Sequence, residues 1–304
     1  MDYSLTEFLV DQLESYKPEY LVADDRAKHR IIDNLCRDLA SKYDAKVVDN
    51  IGRIVNYFAF EQKAPLDFLI KFMNLNIGLD YHTILREEKD DFDGRFGTIT
   101  SPIIPQYELP ELVSIKRFQG SGRYHPSPIA SVNAALDALG KTNVCYTTFF
   151  DIGSGLGRNL LLASNYSFRK IIGIEHSQYL HDIARKNVDI FLSKTHKKNV
   201  FELYCTDAIE FKYPADNVVF YFWRPFSDDK LAELFFNKIE AFYRELPFKV
   251  VLIFLGAVYP VVGRSLFFRI SDSFFTTDLF FDEDKFFQVT IFSNGISADK
   301  RIDH

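Results

Sequence analysis

Phe149-Phe150-Asp151-Ile152-Gly153-Ser154-Gly155-Leu156-Gly157-Arg158-Asn159 is the most informative run in this chain. An apolar segment ends in an acid, three glycines alternate with single residues, and a polar pair follows. That is the texture of a strand that stops, turns sharply and starts a helix. Glycine allows the tight turn and lets a ligand approach main-chain amides. The start of the following helix offers unpaired N–H groups and a positive dipole end, which suit a carboxylate or a phosphate. About twenty residues further on, a second apolar run closes on Glu175, a carboxylate placed to accept both hydrogen bonds of a ribose diol.

Outward from this run the chain alternates strand and helix. The pattern predicts a helix over 128–139, strands over 147–151, 170–175, 200–205, 218–223 and 250–255, and helices over 158–165, 177–192 and 228–244. Apolar runs separated by helices of this length imply parallel strands with crossovers, hence an α/β fold: a Rossmann-like, doubly wound, mostly parallel sheet. Two aromatic-rich stretches, 273–281 and 285–293, are joined by Asp282-Glu283-Asp284 and read as an antiparallel hairpin at the sheet edge. The apolar run 250–263 is broken by Pro260 and is short of the roughly 18 residues a spanning helix needs, so it reads as a buried strand.

Upstream the texture differs. From Ser4 to Leu85 apolar residues recur at helical spacing, as in Ile31, Ile32, Leu35 and Leu39, and four or five amphipathic helices are expected, punctuated by Pro18, Pro65 and Gly78. Between Glu87 and Gly122 the periodicity gives way to charge, glycine and proline. Asp91-Phe92-Asp93-Gly94 places its glycine two positions too early for an EF-hand loop, so the acids read as a solvated run. The expected organisation is an all-helical N-terminal domain over 1–90 and an α/β domain over 91–304.

Composition narrows the classes. Among 304 residues, 31 Phe and 16 Tyr argue against disorder, and a net charge of −6 gives no global attraction to phosphate backbones, so nucleic acid is not the expected partner. Cys36, Cys145 and Cys205 form neither a disulfide framework nor a zinc pattern, and His176 and His181 lie five apart; no metal is expected. Acids in the first residues argue against an export signal, so a cytoplasmic location without membrane association is expected.

Two nucleotide motifs fail. The dinucleotide fingerprint needs a third glycine where Arg158 stands, and no Gly-Lys-Ser/Thr follows for a P-loop. What remains is D-x-G-x-G-x-G after a strand, which resembles motif I of the class I S-adenosylmethionine-dependent methyltransferases. The resemblance covers roughly residues 120–265 and implies S-adenosyl-L-methionine as cofactor. It implies that Asp151, Gly153, Ser154, Gly155 and Gly157 lie against the methionine part, that Glu175 holds the ribose, and that Asp207 and Ala208 reach the adenine. Asn159, His176 and Tyr221 are placed beside them as further cofactor contacts. The runs 92–98, 124–128, 172–177 and 184–187 look like a group of bacterial methyltransferase-like proteins.

In that superfamily the loop after the fourth strand faces the transferable methyl. Here it reads Tyr221-Phe222-Trp223-Arg224-Pro225-Phe226, with Arg224 where amine methylases carry Asn or Asp. A guanidinium has donors only, so it cannot orient an amino group, but it can clamp a carboxylate or phosphate; a structural ion pair is the other reading. Arg224 and Tyr221 are the candidate catalytic residues. The expected function is methyl transfer to an unidentified acceptor, a small molecule or a protein, with an anion among the candidates. A cofactor-binding sensor or scaffold without turnover and a Dot1-like lysine methyltransferase are the alternatives.

Overall fold

A computed structural model of the chain describes residues 5–43, 45, 48, 52, 55, 56, 60, 91–104, 124–140, 144–226, 228–280 and 283–296. The chain divides into two compact units, one of residues 1–81 and 103–118, the other of 82–102 and 119–304. Among the described residues between 91 and 104, Ile103 and Ile104 group with the first unit.

In the first unit, α1 spans Leu5–Val22 and α2 spans Asp25–Ala40. Asp24 caps α2 by accepting a hydrogen bond from Ala27 N, and Ile31, Ile32, Leu35 and Leu39 form its buried face, as their spacing predicts. Pro18 does not end a helix but sits inside α1. It falls in the last two turns, where the single backbone bond a proline removes interrupts little of the ladder. The further helices expected around 51–58 and 66–73, together with Pro65, Gly78 and the charged residues 87–90, lie largely or wholly outside the described residues.

The second unit is built on a seven-stranded sheet: β1 Thr148–Ile152, β2 Lys170–Glu175, β3 Phe201–Cys205, β4 Val218–Phe222, β5 Val250–Leu255, β6 Arg269–Phe280 and β7 Glu283–Ser293. Its order is β3-β2-β1-β4-β5-β7-β6; the first five strands are parallel and β7 runs antiparallel to both β5 and β6. The expected doubly wound sheet with its edge hairpin is therefore what the chain forms. β1, β4 and β5 are buried along their whole length, which is why they read as unbroken apolar runs rather than alternating ones.

Successive side chains on these strands serve opposite faces. Phe149, Tyr221 and Ile253 join one core, which also takes in residues of α3 (Phe92–Phe96), α4 (Ile129–Ala138), α5 (Arg158–Ala163) and α6 (Gln178–Thr195). Phe150, Phe220 and Phe254 join the other, against α7 (Asp229–Tyr243) and α8 (Pro260–Arg264). Two sequence expectations need correction. The run 250–263 is not one strand, because Gly256 turns the chain at φ 83° and Pro260 opens α8. The acids at 91–93 are not a solvated run, because Asp91 caps α3 and Asp93 is buried.

Candidate functional site

The register aligns the carboxyl ends of the parallel strands. Asp151 stands opposite Gly173 and Tyr221, and Glu175 opposite Cys205, so the loops after β1, β2, β3 and β4 share one edge of the sheet. Of the residues singled out from the sequence, Asp151, Glu175 and Tyr221 lie at or one residue inside these strand ends, Asp207 and Arg224 follow β3 and β4, and Asn159 stands in α5.

The loop after β1 carries left-handed glycines at 153, 155 and 157. Four of its amides are already bonded within the protein. Gly153 N and Ser154 N donate to Ile174 O at 2.9 and 3.1 Å, Gly157 N to Ser154 O at 2.8 Å, and Gly155 N to Glu175 Oε2 at 2.9 Å. The sequence could not show this, because the partners belong to β2 and to the loop itself. Gly155 is the position where glycine is required twice over. Its φ is 51°, and the Tyr124 ring packs so closely on it that any Cβ would collide.

Glu175 is buried and works for the fold as well as facing the edge. Its Oε1 accepts from Ser177 N at 2.9 Å and lies 3.2 Å from His176 Nδ1. Burial pushes its carboxyl up, but the His176 ring and the N–H groups of Ser177 and Gly155 outweigh burial and hold it below the ordinary glutamate value. Asp151 has the opposite fate. Burial pushes it up to about 8; the Asn159 side chain opposes the shift, and the Glu175 charge adds to it. Two carboxyl groups on neighbouring strands are thus driven apart, one kept ionised and the other protonated at neutral pH.

Around Asp151 lies a small polar nest in an otherwise apolar face. Asn159 Nδ2 donates to Ser127 Oγ at 3.1 Å and to Asp151 Oδ1 at 3.4 Å, and the Tyr221 hydroxyl reaches Ser127 Oγ at 3.3 Å. Asp151 Oδ2 and Asn159 Oδ1 are left without a hydrogen-bond partner among the described residues. Two buried oxygens left without a partner are costly unless something fills the gap. Tyr221 is fully buried beside this nest, not on the loop that follows β4, and burial keeps its hydroxyl protonated.

Asp207 and Ala208 lie on the turn after β3. Asp207 is exposed, and its Oδ1 accepts from Ile209 N at 2.7 Å, while Ala208 O accepts from the Tyr213 hydroxyl. Arg224 follows β4, is exposed, and holds a left-handed backbone at φ 51°. Among the described residues it forms no ion pair. Trp223 beside it meets the His125 ring edge-on at 5.0 Å, and Pro225 lies over Gly153, 3.1 Å from where a Cβ would stand.

Several residues essential to this edge escaped the sequence reading. Arg158, noticed only as a missing glycine, is buried and donates to Thr100 Oγ1 at 3.0 Å and Ser101 Oγ at 2.6 Å. Asp93 accepts from Thr98 Oγ1, Thr100 N, Thr100 Oγ1 and Ser101 N at 2.7–2.8 Å. Asn187 bonds Ile99 on both sides and Leu156 O, tying 99–101 to the glycine loop. One signal was legible: Asn187 falls on the same face of α6 as Ala184, Val188 and Phe191, a polar residue in an apolar stripe.

No protein-family profile and no curated protein matches the chain. Among solved structures it is similar to an RNA methyltransferase from Salinibacter ruber in complex with S-adenosyl-L-homocysteine, with 19% identity over 59% of this chain and 97% of that one and a TM-score of 0.36. It is also similar to magnesium protoporphyrin IX methyltransferase from Synechocystis PCC 6803 with the same compound bound, with 14% identity over 54% and 80% of the chains and a TM-score of 0.39. The strand order, with five parallel strands and an antiparallel β7 between β5 and β6, decides the architecture. The fold is a Rossmann-like, doubly wound, mostly parallel sheet with an antiparallel edge pair. In this fold the glycine loop, Glu175 and the loop after β4 occupy one continuous edge. Among the described residues no helix is long and apolar enough to cross a membrane, and no group of His, Cys, Asp and Glu could hold a metal ion.

Proposed function

We propose that residues 91–304 carry an S-adenosylmethionine-dependent methyltransferase that acts on an acceptor approaching the loop after β4. The observation that carries this reading is the pair of unpartnered buried oxygens, Asp151 Oδ2 in β1 and Asn159 Oδ1 in α5. They fit a donor with several protons, such as the amino group of the cofactor's methionine part, and ionisation of Asp151 would follow its arrival.

The other residues support the same ligand. Glu175 is already ionised, and each of its oxygens retains accepting capacity for a ribose hydroxyl, with the half-exposed His176 able to yield its place. Gly153, Ser154, Gly155 and Gly157 shape the loop surface, Tyr221 backs the nest through Ser127, and Asp207 and Ala208 stand at the same edge for an adenine. When bound, S-adenosylmethionine supplies an electrophilic methyl group. Displacement at such a methyl needs alignment more than a protein nucleophile, so positioning carries the acceleration. Arg224 favours an acceptor that bears a carboxylate or phosphate, since its guanidinium is exposed and unpaired with any acid among the described residues.

Calorimetry with S-adenosylhomocysteine tests the reading. Binding is expected, with a proton released at pH 7 as Asp151 ionises, seen as a heat that varies with the buffer's own ionisation enthalpy. Tight binding of NAD, or no binding of S-adenosylhomocysteine, would overturn it.

A further inference from the structure

The loop that carries Arg224 is held by a residue from a different part of the chain. Tyr259 caps the short helix α8, and its ring lies near Phe226, Phe236 and Phe254 at centroid distances of 6.0, 5.8 and 6.4 Å. Its hydroxyl accepts from Phe226 N at 3.0 Å and donates to Phe226 O at 2.8 Å. One side-chain oxygen therefore satisfies both backbone groups of a loop residue, as a paired strand residue would. Burial pushes this phenol up to about 12, with the Phe226 backbone and the Arg224 charge opposing the shift, so the hydroxyl keeps the proton that the donation requires.

The second anchor is Pro225, packed over Gly153. Immediately before these two anchored residues stands Arg224 in a left-handed conformation, a region that only glycine and, occasionally, Asn or Asp visit routinely. A connection that needed only to turn would be met by one of those residues. Here the strained position holds an exposed cation with no ion pair among the described residues, and strain of this kind persists only where the surroundings over-determine it.

We infer that Tyr259 is a positioning residue, whose hydroxyl fixes the 224–226 loop so that Arg224 is presented in one geometry to an anionic acceptor; this rests on the methyl-transfer reading for the acceptor's role, not for the clamp. Trp223 is the chain's single tryptophan and adjoins Arg224, so its fluorescence reports on the loop directly. The probe is iodide, an anionic quencher, compared with neutral acrylamide. In the wild-type protein the ratio of iodide to acrylamide quenching should exceed that of Arg224→Ala about twofold or more. Tyr259→Phe keeps the ring and removes the hydroxyl. It should melt within a few degrees of wild type and bind S-adenosylhomocysteine within about threefold, yet lose at least half of the excess iodide quenching.

A folded Tyr259→Phe variant with an unchanged ratio would overturn the inference, as would a wild-type ratio equal to that of Arg224→Ala. Should the variant fail to fold, hydrogen exchange of the Phe226 amide in the wild-type protein decides: protection of about a hundredfold or more supports the clamp, and exchange at the free-peptide rate overturns it. Failure of the wild-type protein to bind S-adenosylhomocysteine would remove the methyl-transfer reading while the quenching ratio still judged Tyr259.

Discussion

The loops after β1 and β4 leave adjacent strands at the same edge, yet they are built on opposite terms. The first is made of left-handed glycines and secured inside the protein. Glu175 takes one amide, Ile174 takes two, Tyr124 lies on Gly155, and Arg158 and Asn187 bind the neighbouring turn to residues 99–101. The second has a strained arginine where a glycine would be easy, and two anchors, Pro225 and the Tyr259 hydroxyl. The loop after β1 is thus fixed by buried hydrogen bonds, while the loop after β4 shows to solvent a charge without an ion pair among the described residues.

If that contrast holds, the largest losses come from the first loop's support. Asp93→Ala strands two amides and two hydroxyls in the interior, each costing about 1–3 kcal/mol. A loss of about 4 kcal/mol or more in chemical denaturation is expected; a loss below 1 kcal/mol would mean that 91–101 is an accessory strap and not part of the loop's support. Gly155→Val should follow, with about 1–3 kcal/mol for overpacking against Tyr124 and roughly 1–2 kcal/mol for the backbone. Its melting temperature and its affinity for S-adenosylhomocysteine should fall together.

Asp151 sharpens the contrast through pH. Its folded value of about 8 lies above the ordinary 3.8, so the native state holds a proton that the unfolded chain has released. Its stabilisation is complete below about pH 4 and is lost as pH rises toward 8. Unliganded protein should lose about 2 kcal/mol between pH 6 and 8 from this group, and Asp151→Asn should flatten that part of the curve. A profile unaffected by the substitution would show that the carboxyl is already compensated.

The smallest effect belongs to the second loop. Arg224→Gly relieves a left-handed strain of about 1–2 kcal/mol and adds about 0.5–1 kcal/mol of unfolded-state entropy. Stability should stay level or rise by up to about 1.5 kcal/mol, while turnover of an anionic acceptor falls. A substantial loss of stability would show that Arg224 serves the fold, and would erase the distinction between the two loops.

What the sequence by itself determined is the local part of this molecule. Unbroken apolar runs such as 218–222 can only be strands buried on both faces, the helices between them force parallel pairing, and the glycine spacing at 153–157 marks the strand-to-helix turn. Each of these follows from sterics or periodicity within a few residues, and the sheet then brings Asp151, Glu175 and Arg224 to one edge. What only the tertiary structure decided is how the polar groups are shared. Glu175 bonds Gly155 N across twenty residues, Arg158 meets Thr100 and Ser101 across more than fifty, and Tyr259, beyond the end of β5, holds Phe226 across more than thirty. Hydrogen bonds of this kind act over about 3 Å, so their partners are chosen by packing between distant segments and leave no periodic trace in the chain.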